Sequence, residues 1–481
     1  MTEKKKERKS RYQYLAGNIA LFSVSNFVSK ILVFLLVPLY TNVLTTSEYG
    51  IADIMQVTLL LLVPALTLNA GEAALRFGIE HADKRGSILA IGLSRIVRAD
   101  AVTVGLCIVM FAFVPDNIRW YILLFAVLFI ANSLYEYLVL YFQGCELVPI
   151  VVAGSVLSTV IMIVSNIVFL LVVKIGLNGY LYSQILAYAL ASVVMLLLGR
   201  SAGVVKNLEK DTALESQMLA YSVPLIAYST GSWVNNAADR YIVLAMCGTA
   251  VNGVYGVAYK IPAILMVFQR IFAQAWQMSA TKSYKDEKSA QFFTEMYRMY
   301  NSFMVIGCAF LILLVNPIAA FMFRKEFYEA WVFVPPLLIS VIFGALTGFL
   351  GSICLAHKDS VSMGVATSIG AVANVAMNLA LIPYFGAMGA AVATAVSYAI
   401  MWALAYRFVR KHVLLENSLL TDVLSYLILA AISVAMIGAI PYRYVISAVL
   451  TAILMLLYHD DIRVIATRIS AIIKNRKNGN R

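Results

Sequence analysis

The amino-acid sequence predicts an all-α polytopic membrane protein, and two observations lead to this fold class. Of the 481 residues, 62% are hydrophobic and 13% are charged, and the mean hydropathy is +0.84. Soluble globular domains contain about 45–50% apolar and about 25% charged residues, so the chain lies outside that class. Apolar runs of about 20 residues also follow one another almost from end to end. Because these runs do not alternate with polar residues, they argue against a β-barrel.

Fourteen candidate transmembrane helices follow from these runs. They are predicted near residues 15–43, 51–77, 88–114, 119–143, 149–173, 179–199, 218–246, 251–280, 293–323, 328–356, 360–383, 387–409, 418–440 and 443–459. The longest hydrophilic stretches are the N-terminus, residues 200–217, residues 281–292 and the C-terminal tail. None of them is long enough to form a separate soluble domain.

The distribution of Lys and Arg predicts the orientation of the helices. With the N-terminus in the cytoplasm, 25 of the 37 basic residues fall in cytoplasmic segments and 5 fall in outer loops. The positive-inside rule predicts this asymmetry when both termini are cytoplasmic. The net charge of +12 therefore reflects membrane orientation and contact with anionic lipid heads, and we expect no nucleic-acid partner. The lysine-rich N-terminus is followed by a segment without a cleavage site, which we expect to be retained as the first span.

Cysteine and histidine give no indication of a metal site or a catalytic centre. The five cysteines (Cys107, Cys145, Cys247, Cys308 and Cys354) are scattered singly and are interpreted as apolar packing residues. The four histidines (His81, His357, His412 and His459) fall in loops or at span ends. We therefore expect no bound metal and no cofactor.

Seven cations remain inside the predicted spans, and they call for a functional explanation. They are Lys30, Arg76, Arg95, Arg98, Arg240, Lys260 and Arg270. A cation near the centre of a span costs roughly 2.5–3.5 kcal/mol, so the cluster indicates a wet or counter-charged interior. Arg95 and Arg98 lie near span ends, and we expect their side chains to extend to the head-group region.

Polar residues follow single helical stripes in three of these spans. The stripes are Ser23, Asn26 and Lys30 in the first span, Ser229, Ser232, Asn236, Asp239 and Arg240 in the seventh, and Lys260, Arg270, Gln274 and Gln277 in the eighth. Such stripes favour a shared polar lumen. An alternative for Asp239 is a buried structural pair with Arg240 or with a cation on a neighbouring helix.

An internal repeat relates the two halves of the chain. SVSNFVSK (23–30) aligns with WVNNAADR (233–240), YGIA (49–52) with YGVA (255–258), and IGLNGYLYSQILAY (175–188) with FGAMGAAVATAVSY (385–398). These matches predict two six-helix lobes, 1–205 and 212–412, followed by two further helices and a basic tail in 413–481. An even number of helices per lobe makes the repeats parallel, an arrangement found in transporters that work by alternating access.

Four segments carry a resemblance to a known family: SNFVSKILVFLLVPLYTNVLTTSEYG, AGEAALRFG, ADRYIVL and VNGVYGVAYKI. With this layout of helices, the chain resembles the Wzx-type polysaccharide flippases of the multidrug/oligosaccharidyl-lipid/polysaccharide (MOP) exporter superfamily. The resemblance implies that an undecaprenyl-pyrophosphate-linked oligosaccharide moves from the cytoplasmic to the outer leaflet of a bacterial cytoplasmic membrane, for surface polysaccharide biosynthesis. It also implies contact with membrane lipids and with other polysaccharide assembly proteins. We expect a monomer.

The candidate site residues fall into three groups. The resemblance implies that the pyrophosphate is bound by Lys30, Arg76, Arg240, Lys260 and Arg270. Polar and aromatic neighbours that can bind the glycan are Asn26, Asn235, Asn236, Trp233, Tyr259 and Gln274, with Tyr241 and Trp276 near them. Candidates for a coupling proton or sodium ion are Asp53, Glu72 and Asp239, with helix pairing as the alternative. Lys30 is a point charge without the bidentate geometry of arginine, which weakens its assignment.

Two other functions are less compatible with these residues. A drug or organic-cation exporter of the same superfamily would need mainly carboxylates in its lumen. The deep positions instead hold more cations (Lys30, Arg240, Lys260 and Arg270) than carboxylates (Asp53 and Asp239), which favours an anionic cargo. A membrane-embedded glycan polymerase would need a large catalytic loop or a titratable site at the interface, and the outer loops are short. We therefore do not expect an enzyme.

Overall fold

A computed structural model describes residues 34–205, 208–284, 289–415, 419–438, 440–463 and 467. Within these ranges every regular element is helical, and eleven helices are long and apolar enough to cross a membrane. The predicted all-α polytopic class is therefore confirmed. Most of the first predicted span, 15–43, lies outside the described residues.

The predicted spans after the first each coincide with one or two helices. The α-helices are α1 (Val37–Val43), α2 (Thr46–Leu66), α3 (Ala70–Glu80), α4 (Arg85–Phe113), α5 (Asp116–Gly144), α6 (Val148–Ile167), α7 (Gly176–Ser201), α8 (Thr212–Ala258), α9 (Pro262–Ser283), α10 (Ser289–Leu313), α11 (Val315–Met322), α12 (Val334–Ala356), α13 (Ser360–Phe385), α14 (Ala387–Val409), α15 (Leu419–Ile437) and α16 (Arg443–Leu457). Shorter elements are 3₁₀-helices at Ala82–Lys84 and Lys325–Phe333 and a π-helix at Val168–Val172.

Local sequence explains where several helices begin. At the start of α2, the Thr45 hydroxyl accepts the Glu48 backbone N–H at 3.2 Å, and the Glu48 carboxylate accepts the Thr45 N–H at 2.8 Å. This capping box satisfies two backbone donors that the helix itself cannot pair. Proline stands in the first turn of α6, α9 and α12, where its missing N–H costs no helical hydrogen bond.

Backbone conformation explains one departure from the predicted spans and one agreement with them. The predicted span 51–77 is divided into α2 and α3, because Leu68 and Asn69 have φ values of 55° and 50°. Within α8, Gly248 has φ 87° and ψ 174°, so the continuous run is two helical segments that meet at this residue. Glycine tolerates this positive φ without the steric cost of a side chain.

The chain divides into two compact units, which are the described residues up to Trp233 and those from Val234 onward. In the first unit, α5 packs against α3, α4 and α7, around buried Leu138, Tyr141 and Phe142. In the second unit, α12 packs against α9 and α14, and α14 packs against α13. The division falls within α8, and the predicted lobe boundaries at 205 and 212 stay a prediction.

The hairpins α6–α7 and α13–α14 share a backbone arrangement at the residues matched by the internal repeat. Gly176 is the first residue of α7, and Gly386 directly precedes α14. Their φ values are 54° and 56°. Gly179 and Gly389 lie against the preceding helix, where an added Cβ would be 2.8 Å from Phe169 Cβ or 2.7 Å from the Leu381 carbonyl carbon. The aligned glycines thus have the same backbone role in each hairpin.

The five cysteines are all free thiols. Cys107, Cys145, Cys308 and Cys354 are buried, which agrees with their interpretation as packing residues. Cys247 is only half-buried and directly precedes Gly248.

Candidate functional site

The predicted site residues of the first span cannot be placed. Lys30 and Asn26 lie outside the described residues. The remaining candidates belong to the two units, and each unit is considered by itself.

Arg76 lies on α3 in the first unit with its guanidinium against an aromatic ring. Its Cζ atom is 4.6 Å from the ring centroid of Tyr221, and its Nε donates to the Glu80 carboxylate at 3.1 Å. Half of the side chain is exposed. The ring orients the planar cation by a cation–π interaction, while part of the guanidinium remains accessible.

Arg95 corrects an expectation from the sequence. Only 3% of this residue is exposed, so it does not extend to the head-group region. Its Nη2 donates to the backbone carbonyl of Glu215 at 3.1 Å, whereas Nε and Nη1 have no hydrogen-bond partner among the described residues. Arg98, one turn later, is exposed and lies 3.8 Å from the Glu215 carboxylate, as its predicted surface position requires.

Asp53 is the buried carboxylate of the first unit. It lies on α2, close to Tyr180 of α7. One turn along, the Gln56 amide donates to Gln184 at 2.5 Å. Val57 lies on α2 with Asp53, and its backbone carbonyl accepts the indole N–H of Trp233, a predicted glycan residue, at 2.8 Å. Glu72, the third coupling candidate, is exposed on α3.

Asp239 is a buried carboxylate of the second unit, and three hydroxyl groups converge on one of its oxygens. Its Oδ2 accepts hydrogen bonds from Tyr255 and Tyr259, both at 2.6 Å, and from Thr394 at 3.3 Å. Its Oδ1 accepts the backbone N–H of Arg240 at 2.9 Å. Asp239 is 3% exposed, so this network replaces the water that an ionised carboxylate needs.

Arg240 follows Asp239 in the chain and contacts the same tyrosine. Its Cζ atom lies 4.4 Å from the ring centroid of Tyr259. Tyr259 therefore uses its hydroxyl to contact the carboxylate and its ring to contact the guanidinium. The other predicted cations of this unit are Lys260, which is half-buried, and Arg270, which is exposed on α9.

A chain of amide side chains extends the Asp239 network into α13. The Asn374 amide donates to Thr394 at 3.4 Å and to Ser397 at 3.1 Å, and Asn378 donates to the side-chain oxygen of Asn374 at 2.9 Å. Asn378 is fully buried, and its Oδ1 has no hydrogen-bond partner in the part of the chain that the structure describes. A buried acceptor of this kind is suited to a cation.

The predicted glycan residues of the second unit have different environments. Asn235 is buried and donates to the Thr367 carbonyl at 3.4 Å, whereas Asn236 is exposed and accepts the Tyr398 hydroxyl at 2.8 Å. Gln274 is exposed on α9. Trp276 corrects an expectation, because its indole ring is buried and stacked on Phe349 at 4.1 Å. Its ring does not offer a face for a sugar.

Sequence reasoning missed four members of the Asp239 network: Tyr255, Thr394, Asn374 and Asn378. The YGIA/YGVA match drew attention to Tyr255 only as part of the repeat. The spacing of Asn374 and Asn378, four residues apart in an apolar span, is a signal that could have indicated one polar helix face. Thr394 carries no such signal, because threonine is common in transmembrane helices.

Outside the membrane-spanning segments, two carboxylates are held by basic partners. Asp211 accepts from Lys84 at 2.8 Å, and this bond lowers the pKa of the carboxyl. Asp359 caps α13 and accepts from His412 at 2.8 Å. The bond from His412, with two bonds from Ser362, lowers the Asp359 pKa to about 2.

The sequence matches the model of a known protein family. The model of a family described as "Polysaccharide biosynthesis protein" matches residues 15–277, which is more than half of the chain. The chain belongs to this polysaccharide biosynthesis protein family. The match includes Arg76, Asp239, Arg240 and Tyr259. Among curated proteins, none matches the sequence.

Solved structures with the same fold belong to the MOP superfamily. An inward-facing multidrug resistance MATE family transporter matches with a TM-score of 0.69 and 13% identity, over 79% of this chain and 94% of its own. The lipid II flippase MurJ, in an inward closed conformation, matches with a TM-score of 0.66 and 15% identity, over 92% of this chain and 100% of its own. A MOP superfamily transporter from Pyrococcus furiosus matches with a TM-score of 0.52 and 12% identity, over 83% and 94%. This polysaccharide biosynthesis family member therefore has the fold of membrane transporters and flippases.

Proposed function

We propose that the chain is a flippase for an undecaprenyl-pyrophosphate-linked oligosaccharide. It moves this lipid from the cytoplasmic to the outer leaflet of a bacterial cytoplasmic membrane by alternating access through a cationic cavity. Family membership supports a role in polysaccharide biosynthesis, and the fold shared with a lipid II flippase supports a lipid-linked cargo. The observation that carries the proposal is the Arg240 guanidinium held on the Tyr259 ring inside an apolar helix.

The chemistry of the cargo explains why such a cation is needed. A pyrophosphate carries negative charge that loses its hydration when it enters a membrane of low dielectric constant, and charge-assisted hydrogen bonds replace that hydration. Arginine suits this role because it binds phosphate oxygens through N–H groups in its plane, while a ring supports its face. Arg240 in the second unit and Arg76 in the first have this ring support. In this proposal, each of these arginines is a pyrophosphate ligand of its own unit, with Lys260 and Arg270 as further cations of the second unit.

We infer that Asp239 binds the coupling cation, a proton or a sodium ion. Its carboxylate is buried, and its network leads through Thr394 and Asn374 to the unpaired Oδ1 of Asn378. Carboxylate, hydroxyl and amide oxygens are the ligands that hard cations prefer. Asp53, in the first unit, remains the second candidate for this role.

The test is transport of undecaprenyl-pyrophosphate-linked oligosaccharide by purified protein in vesicles. Arg240→Ala should reduce the flipping rate about tenfold to a hundredfold, the size expected for a lost charge-assisted phosphate contact. Arg98→Ala is the matched control, because it removes an exposed arginine and should leave the rate within about twofold.

Other outcomes of the same experiment discriminate between the functions. No flipping by the wild-type protein, or equal rates in both arginine variants, would contradict the proposal. Uptake of an organic cation in its place would favour the drug-exporter alternative.

A further inference from the structure

We propose that Tyr259 is a positioning residue that transmits cation occupancy at Asp239 to the phosphate-binding state of Arg240. This inference rests on the proposed function, because it needs a cation at Asp239 and a phosphate at Arg240. Tyr259 is the residue for which the structure describes contacts to both groups, a hydroxyl bond of 2.6 Å to the carboxylate and a ring 4.4 Å from the guanidinium carbon.

The coordination of the Asp239 carboxylate explains how a cation would act on Tyr259. A carboxylate oxygen has two lone pairs, and Oδ2 already accepts from three hydroxyl groups. A sodium ion that binds this oxygen must displace a donor. The Thr394 bond is the longest of the three, at 3.3 Å, and a cation that takes more than its place releases a tyrosine hydroxyl as well.

Burial decides which tyrosine is released. Tyr255 is fully buried and packs edge-to-face on Phe333, with ring centroids 5.8 Å apart. Tyr259 is only half-buried and lies in the short connection between α8 and α9. The cost of moving Tyr255 is therefore higher, because the surrounding core would lose its packing. Tyr259 is the hydroxyl that leaves.

Release of the hydroxyl changes the environment of Arg240. While Tyr259 is bound to Asp239, its ring is fixed under the guanidinium, and the nearby carboxylate adds negative charge that opposes a phosphate. A cation at Asp239 neutralises that charge and frees the ring to move with the arginine. Phosphate binding at Arg240 should therefore be tighter when Asp239 carries a cation.

The groups around Asp239 define what a change of pH would affect. The titratable or charged groups that face it in the described residues are Tyr255 and Tyr259, Tyr398 on α14, and Arg240 beside it in the chain. Tyrosine and arginine do not titrate near neutral pH. A change in phosphate binding with sodium at constant pH therefore reports ion binding and not a change of charge on these tyrosines or on Arg240.

Two conservative substitutions separate coupling from the binding of either ligand. Tyr259→Phe keeps a ring at Arg240 but removes the hydroxyl bond to Asp239. Tyr255→Phe removes an equal bond to the same oxygen and also a 3.1 Å hydroxyl contact to Tyr259, but it leaves the bond from Tyr259 to Asp239 and the ring at Arg240 in place, so it is the matched control. The probe is undecaprenyl pyrophosphate in nanodiscs, with affinity measured with and without sodium at constant pH.

We expect the wild-type protein to bind this lipid at least about fivefold more tightly when cation is present, which is the lower end of typical coupling between sites. Tyr259→Phe should show a cation dependence at least about twofold smaller than that of the wild type, because the charge of Asp239 remains but the hydroxyl that transmits its occupancy is absent. Tyr255→Phe should retain the dependence on cation. Cation binding without the lipid, measured by calorimetry, should persist in both variants.

Several results would overturn the inference. They are an unchanged cation dependence in Tyr259→Phe, a loss of dependence in Tyr255→Phe, or a loss of cation binding itself in Tyr259→Phe. A wild-type protein that binds the lipid without any cation dependence would also defeat the coupling but leave the proposed function intact. A wild-type protein that binds no undecaprenyl pyrophosphate under any condition would instead defeat the proposed function.

Discussion

The hairpins α6–α7 and α13–α14 agree in backbone and differ in polar side chains. Both use one glycine with φ near 55° at the start of the second helix and another at the close approach to the first helix. At the position aligned by the repeat, however, the first hairpin has Gln184 and the second has Thr394. Gln184 accepts from Gln56, whereas Thr394 donates to Asp239. The repeated scaffold has kept its shape while its buried chemistry has diverged.

Two buried carboxylates, one in each unit, show the same divergence. Asp53 lies on α2 beside Tyr180, and Asp239 lies on α8 under two tyrosines and a threonine. When the alignment of YGIA with YGVA is extended by one residue, Asp53 corresponds to Tyr259. The first unit therefore has a carboxylate at the position where the second unit has a tyrosine that donates to a carboxylate. A duplicated fold can thus hold two acidic sites that are not copies of each other.

The largest expected difference concerns these two carboxylates. Asp239→Asn should reduce cation-driven flipping in vesicles at least about tenfold, because the variant loses the charge that binds the coupling cation next to Arg240. Asp53→Asn should have a smaller effect, within about threefold, because its carboxylate belongs to the polar set of the other unit. The rates are compared with and without an imposed sodium or pH gradient. A larger loss of flipping in Asp53→Asn than in Asp239→Asn would indicate that Asp53 of the first unit binds the coupling cation.

A second comparison uses the glycines that the two hairpins share. Gly389→Ala should lower the free energy of unfolding by about 1–3 kcal/mol, since its Cβ would meet backbone atoms that must shift. Gly386→Ala should cost about 1–2 kcal/mol, because alanine must adopt a positive φ although the space is open. Gly179→Ala and Gly176→Ala are the corresponding variants of the first hairpin. Thermal unfolding in detergent measures the stability of all four variants. If the more destabilising of the two positions differs between the hairpins, the shared backbone role is contradicted.

The smallest expected effect concerns Asp359 outside the spans. Its pKa of about 2 lies below the ordinary value, so its contribution to stability is present at neutral pH and is lost as the pH falls toward 2. His412→Gln should raise the Asp359 pKa, so the loss of stability in acid should begin at a higher pH. Stability at neutral pH should change little. The pH dependence of thermal unfolding measures both quantities. His459→Gln is a suitable control, because its partner Asp460 is strongly exposed.

Much of the fold followed from hydropathy, because an apolar run of span length leaves a chain few options in a membrane. The division of the predicted span 51–77 did not follow from it. Asparagine tolerates a positive φ, so Asn69 is a weak signal, whereas Leu68 adopts the same conformation without one. The break at Gly248, by contrast, was predicted, since this residue lies in the gap between the predicted spans 218–246 and 251–280.

The candidate site was predictable only in part. A charged pair within an apolar run indicated Asp239 and Arg240, since burial of charge requires a reason. Their partner Thr394 lies 155 residues away in sequence, and only the folded chain brings it to the carboxylate. Arg95 was misplaced for a related reason. Its position near a span end is compatible with a surface side chain, and the carbonyl of Glu215, 120 residues later, is what holds it inside.

The half-buried Cys247 gives the protein a natural attachment point for a spectroscopic reporter. The other four thiols are buried, so a maleimide probe should modify this cysteine first, without any engineered substitution. The dye would lie on α8 directly before the Gly248 break and seven residues after Arg240. Its fluorescence would then follow the local geometry of this helix in real time while sodium, protons or lipid are added.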